Sequence, residues 1–132
     1  MRATDLMVDD WVFSAIVCRY VQVVEILNNS VVCSNNIHIA SSENTVISSY
    51  ENISPITLTP EILIKNGFRY ADLPFEDFYE GYGLQIYGGN YADGHSNWYI
   101  SCGTNVSMNV TYVHELQHAL RLCHIDKDIK LS

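Results

Sequence analysis

A chain of 132 residues with 48% hydrophobic residues and a formal net charge of −8 is sized for one domain with a modest core. A pI near 4.8 argues against sequence-independent nucleic-acid binding, whose affinity comes from neutralising phosphates, and no apolar run approaches the roughly 18 residues of a membrane span. The opening Met1-Arg2-Ala3-Thr4-Asp5 has no apolar signal core, and Asp9 and Asp10 break the apolar residues after it, so the expected compartment is the cytoplasm.

In chain order, Leu6 to Phe13 begins a strand, with Asp9-Asp10 at a bend before Trp11. Tyr20 to Leu27 is a longer β-branched run, Asn28-Asn29-Ser30 a turn, and Val31-Val32-Cys33 with Ile37-His38-Ile39 the return. Residues 1–40 therefore read as a small antiparallel, SH3-like sheet, with His38 on its wet face. Ser41 to Asn52 is polar and reads as loop. The next segment, 59–67, carries every mark of a short helix: Thr59 as N-cap, Pro60 at the first position, Glu61 in the first turn, Lys65 in the last and Gly67 just past the end.

From Tyr70 the chain turns rich in Tyr and Gly. Asp72, Glu76, Asp77 and Glu80 read as a solvated segment without the spacing of a calcium loop. Residues 83–108 form a hairpin region: Leu84 to Tyr87 and Trp98 to Cys102 are its strands, Gly88 to Asn97 the long loop between them, and Val106 to Met108 a further short strand. Glycine-rich loops on a hairpin often carry function. Tyr87, Tyr91, His95, Trp98 and Tyr99 are candidates for a stacking surface for a planar ligand, with Arg69 or Arg121 to meet an anion. The competing reading is that half of these rings are core. Cys18, Cys33, Cys102 and Cys123 show no C-x-x-C pairing, which points to buried reduced thiols rather than a zinc ribbon. The sequons at Asn28, Asn52, Asn105 and Asn109 carry meaning only in a secreted chain.

The C-terminal segment holds the sharpest motif. His114-Glu115-Leu116-Gln117-His118 is H-E-x-x-H, and with His124 the row reads H-E-x-x-H-x-x-R-x-x-H, which resembles the metzincin zinc peptidases at each ligand position. On a helix His114 and His118 share a face, and Glu115 would take a proton from metal-bound water. Metzincins, however, place glycine where Arg121 stands, to turn the chain towards the metal. At about 100° per residue His124 points roughly 80–120° away from the other two histidines. The competing reading is a core helix over 111–124, capped by Asn109 or Thr111, with Val113, Leu116, Leu120 and Cys123 inward and Tyr112 and Ala119 at the margin. His114, Glu115, His118 and Arg121 are then on the wet side, and His124 is a left-handed C-cap. Ile125 to Leu131 alternates as a final short strand would. On this reading the chain has no catalytic residues, no metal ligands and no cofactor.

A strand with Trp near the start, the phrase Leu58-Thr59-Pro60-Glu61-Ile62-Leu63 leading to Asn66-Gly67-Phe68, and Tyr112 to Cys123 together resemble a group of short proteins of gut Bacteroidetes, their phages and integrated mobile elements. The resemblance does not cover Tyr70 to Met108. It implies that Gln replaces Glu115 and Gly replaces His124 in relatives, so that the glutamate is dispensable and the histidine is a substituted C-cap. It supplies no activity.

The expected fold class is α+β: an antiparallel N-terminal sheet, a second β-hairpin, one long C-terminal helix and a short final strand, in a single domain over 1–132. The expected function is a non-enzymatic phage or mobile-element accessory protein in the host cytoplasm, sequestering a nucleotide-like defence signal or a host protein. Partners would be that ligand or protein, neither nucleic acid nor membrane, and a homo-oligomer is plausible from aromatic edge strands. The alternatives are a zinc metallopeptidase using His114, Glu115 and His118, and a structural virion or assembly protein.

Overall fold

Runs of β-branched and aromatic residues, broken by residues that accept left-handed backbone, set the architecture. The computed structural model describes residues 1–34, 45–72, 77–90, 96–102 and 106–131. The fold is α+β, with two antiparallel five-stranded sheets and a C-terminal helix. The chain divides into two compact units, 1–56 and 57–132, each built around one sheet.

The first unit holds β1 (Trp11–Ser14), β2 (Arg19–Ile26), β3 (Val31–Ser34), β4 (Thr45–Ser48) and β5 (Ile53–Ser54), in the order β4-β3-β2-β1-β5. The chain bends before β1 as its aspartates suggest. Asp9 takes a positive φ of 76°, and the buried Asp10 accepts the Met7 N–H at 2.8 Å. Leu6, Val12, Val21, Val23, Val31, Cys33 and Ile53 form the core beneath the sheet. Between Val23 and Glu25 the β2–β3 register slips, so that Val24 bulges out exposed. The 41–52 loop reading is corrected over 45–52: Thr45–Ser48 is a strand paired to β3, and Tyr50–Asn52 is a 3₁₀ turn. Residues 37–39, His38 among them, lie outside the described residues.

The second unit opens with α1 (Pro60–Lys65). The Thr59 hydroxyl accepts the Ile62 N–H at 3.3 Å. Gly67, at φ 90°, closes the helix with paired hydrogen bonds from Gly67 N–H to Ile64 O and from Phe68 N–H to Leu63 O, both 3.1 Å. Five strands come next: β6 (Arg69–Asp72), β7 (Asp77–Gly81), β8 (Leu84–Asn90), β9 (Ser96–Cys102) and β10 (Val106–Val110), in the order β10-β9-β8-β7-β6. The second element is thus a five-stranded meander rather than a hairpin. Tyr82 and Gly83, both at positive φ, make the two-residue turn from β7 to β8 that suits the twist of a hairpin. The long-loop reading shortens too. Gly88, Gly89 and Asn90 pair with Trp98, Asn97 and Ser96, so only 91–95 separates the two strands.

The last helix, α2 (Val113–Leu122), packs beside β10 and buries Val113, Leu116, Ala119 and Leu120. Among the described residues no strand comes after it, which corrects the expected final strand. Ile125 to Leu131 runs outside the sheet and is pinned by Asn66, whose side-chain amide donates to Lys130 O at 2.9 Å and accepts the Lys130 N–H at 2.6 Å. Among the described residues no helix is long and apolar enough to cross a membrane.

Candidate functional site

The H-E-x-x-H segment lies on the first turns of α2, where a helix start leaves backbone N–H groups without helical acceptors. Glu115 answers that need. Its Oε1 accepts the Thr111 N–H at 2.9 Å and the Tyr112 N–H at 3.0 Å. The cap is therefore formed from within the helix, and neither Asn109 nor Thr111 serves as the N-cap residue; Tyr112 occupies that position. His114 is a second correction. It is only 6% exposed, not on a wet face. The Tyr112 ring stacks on its imidazole at 5.8 Å and 10°, and His118 meets it edge-on at 5.6 Å, which together shield a polar ring that helical periodicity alone places outward. Gln117 is also buried.

His124 ends the helix in left-handed backbone at φ 59°. Its N–H bonds Arg121 O at 3.1 Å and the Ile125 N–H bonds Leu120 O at 2.9 Å. This is the same paired closure that Gly67 gives α1. Among the described residues no three His, Cys, Asp or Glu side chains converge as ligands of one metal ion.

The other candidate site is the solvent face of the second sheet. Because alternate residues of a strand point to opposite faces, the cross-strand register sorts them into rows. Tyr79, Ile86 and Ile100 are aligned and buried. On the opposite face Phe78, Tyr87 and Tyr99 stand side by side on β7, β8 and β9. With strands about 4.8 Å apart, the three rings span roughly 10 Å. Phe78 and Tyr87 are in contact at 4.8 Å between centroids, and Tyr99 is 45% exposed. The adjacent row on this face is Arg69, Glu80, Gln85 and Ser101. Arg69, with its side chain 81% exposed, pairs with Glu80 at 2.9 Å. Tyr87 donates its hydroxyl to Gln85 Oε1 at 3.3 Å, so the two rows are joined. A shallow depression of about 240 Å³ lies at this polar row, lined by Arg69, Glu80, Tyr82 and Gln85 among others.

Of the sequence-derived ligand residues, Tyr87, Tyr99 and Arg69 thus share one face. Trp98 does not. It is fully buried, its indole N–H donates to Leu58 O at 3.2 Å, and Tyr79 packs edge-on against it at 5.7 Å, so it is core. Tyr91 and His95 lie outside the described residues. Arg121 is on α2, not on this face's strands. Phe78, Gln85 and Tyr82 are additions that sequence reading missed. Phe78 and Glu80 flank the buried Tyr79 with the period of a strand, a signal hidden by reading the acidic residues as a solvated segment. Comparison with protein-family models, with curated proteins and with solved structures returns no match for this chain, so the reading of this face rests on its own chemistry.

Proposed function

We propose that the chain acts by binding rather than catalysis, taking a small nucleotide-like ligand on the solvent face of its second sheet. The observation that carries this reading is the aligned row Phe78, Tyr87, Tyr99 beside the Arg69–Glu80–Gln85 row. A planar base stacks on an aromatic platform without needing a matched hydrogen-bond code. Gln85 offers an amide to a base edge or ribose hydroxyl. Arg69 offers a guanidinium fork to an anion. Its present partner is an exposed carboxylate, and such surface pairs are worth under about 1 kcal/mol, so a phosphate can displace Glu80 at small cost.

The resemblance to proteins of gut Bacteroidetes and their phages supplies the setting: a mobile-element accessory protein in the host cytoplasm that sequesters a nucleotide-like signal. The role of Glu115 as an N-terminal cap supports the non-enzymatic side of this reading, since its Oε1 is turned to backbone N–H groups. Isothermal titration of the full chain with mono-, di- and cyclic dinucleotides tests the reading. A stoichiometric complex with one of these classes is expected, and failure of every class to bind would remove the proposal.

A further inference from the structure

We propose that the ligand of the second sheet carries a chain of at least two phosphates and that Lys127 holds the distal one at the Tyr82 turn, an inference that rests on reading this face as a nucleotide site. The observation that carries it is the place of Lys127. Its Nζ lies 5.2 Å from the centroid of the Tyr82 ring, and Tyr82 lines the same depression as Arg69, Glu80 and Gln85. Cationic side chains are scarce in this chain, 7 against 15 acids. Four of those 7 nevertheless belong to this corner: Arg69 in the depression, Lys127 over Tyr82, Lys65 next to Asn66 in the chain, and Lys130 bonded through its backbone to the Asn66 side chain. An acidic chain that gathers its few cations at one edge of a site suits an anion with several charges.

Asn66 is what brings Lys127 to the turn. Its backbone O accepts the Tyr82 hydroxyl at 3.0 Å, while its side chain bonds the Lys130 backbone in both directions. The ring of Phe68 steadies Tyr82 edge-on at 5.3 Å, and the buried Ile129 anchors the C-terminal segment. Exposure alternates along that segment: Asp126 and Asp128 are exposed, Ile125 and Lys127 half-buried. The Lys127 stem therefore lies along the protein with its charged head at the surface. Among the described residues that head rests on a ring and not on a carboxylate. Such a contact is weak at an exposed ring, so the ammonium can swing to a phosphate.

The order of the rows gives the ligand a direction. Same-face residues of a strand are about 7 Å apart. Phe78 and Glu80 stand in successive rows, and Tyr82 lies two residues further, in the turn. A base on the row of Phe78, Tyr87 and Tyr99 places the sugar and first phosphate at Arg69 and Gln85. The next phosphate then reaches the turn, where a Cβ added at Gly83 would meet nothing within 4 Å, so there is room for it. A monophosphate ends at Arg69 and leaves Lys127 unused. Charge points the same way. Arg69 is already matched by Glu80 at 2.9 Å, and a phosphate that displaces Glu80 leaves that carboxylate close by. A second phosphate needs a second cation, and Lys127 is the one placed beyond the first.

The test is isothermal titration of the full chain with the mono-, di- and triphosphate of one nucleoside, in buffer free of divalent cations, for the parent, Lys127→Met and Lys127→Arg. The parent is expected to bind the diphosphate about tenfold or more tighter than the monophosphate, the size of one added charge-assisted contact. Lys127→Met keeps the length of the stem and should lose that preference while its monophosphate affinity stays at the parent's value; Lys127→Arg should keep the preference. Weakening of all three nucleotides alike in Lys127→Met would mark a residue that merely holds the turn, and would overturn the proposal. Equal affinity of the parent for mono- and diphosphate would also overturn it, leaving the aromatic face as a nucleotide site. No binding of any nucleotide would remove both readings. Should Lys127→Met not fold, Lys127→Gln takes its place in the same comparison.

Discussion

The Glu115 carboxylate folds back on Tyr112, taking that residue's N–H at 3.0 Å, and the same oxygen takes the Thr111 N–H at 2.9 Å. A residue that reads as a general base in sequence is a helix cap in space. Glu115→Gln keeps an acceptor oxygen in place and is expected to leave the unfolding midpoint close to the parent. Glu115→Ala removes it and is expected to cost about 1 kcal/mol, as loss of an N-terminal cap does. Chemical denaturation of both variants checks this. Elemental analysis of protein made without a metal-affinity tag should find far less than one zinc per chain. One zinc per chain, lost in His118→Ala, would restore the peptidase reading.

Asn66 is the anchor of the C-terminal segment. Buried at the end of α1, it uses both ends of its amide on Lys130 and also donates to Ile62 O at 2.9 Å. Asn66→Ala leaves the Ile62 and Lys130 backbone groups without this partner, and the expected loss is about 2 kcal/mol or more. Hydrogen exchange should show Lys130 losing protection while β8 and β9 keep theirs.

Cys33 gives the first unit a pH dependence. Burial pushes its thiol up to about 11, above its value in the unfolded chain. The folded state therefore holds its proton where the unfolded state releases it, and the stabilising contribution is complete below pH of about 8.5 and declines as pH rises through about 11. Alkaline unfolding of the parent should steepen across that window relative to Cys33→Val, which has nothing to titrate there. Parallel profiles for the two proteins would show that the thiol is ordinary.

How much of this was legible in the sequence depended on whether the signal was local. Helix α1 was readable because Thr59, Pro60 and Gly67 each act on their own turn. Strands β2 and β3 were readable from their β-branched runs. Strand β4 was not, because four residues in a polar stretch become a strand only by pairing with β3. Strands β6 and β7 were hidden for the same reason, their alternation masked by acidic residues. His114 was placed outward by helical periodicity, yet its cover comes from Tyr112, which precedes the helix and so obeys no helical spacing. Trp98 shows the reverse: strand periodicity permits it on either face, and a distant carbonyl, Leu58 O, decides for the core.

Gly88 tests the register that builds the aromatic row. It holds φ 103°, and a Cβ there would lie 2.9 Å from Asn97 O. Gly88→Ala should therefore destabilise the β8–β9 ladder by more than about 1 kcal/mol, from strain at positive φ together with the clash. Thermal melts and amide exchange of β8 and β9 measure it. A variant as stable as the parent would put the alignment of Tyr87 with Tyr99 in doubt.

The central claim is that the face carrying Tyr87, Tyr99 and Arg69 binds a planar, anionic ligand. Its most direct test is the dissociation constant of the tightest nucleotide for the parent and for Tyr99→Ala, Arg69→Ala and Glu115→Gln, with folding verified for each. Stacking of one base on one ring is worth about 1–3 kcal/mol, so Tyr99→Ala should weaken binding about fivefold or more. Arg69→Ala should weaken it in a salt-dependent way, and Glu115→Gln should leave it unchanged. A nucleotide that binds the parent and Tyr99→Ala equally would contradict the account.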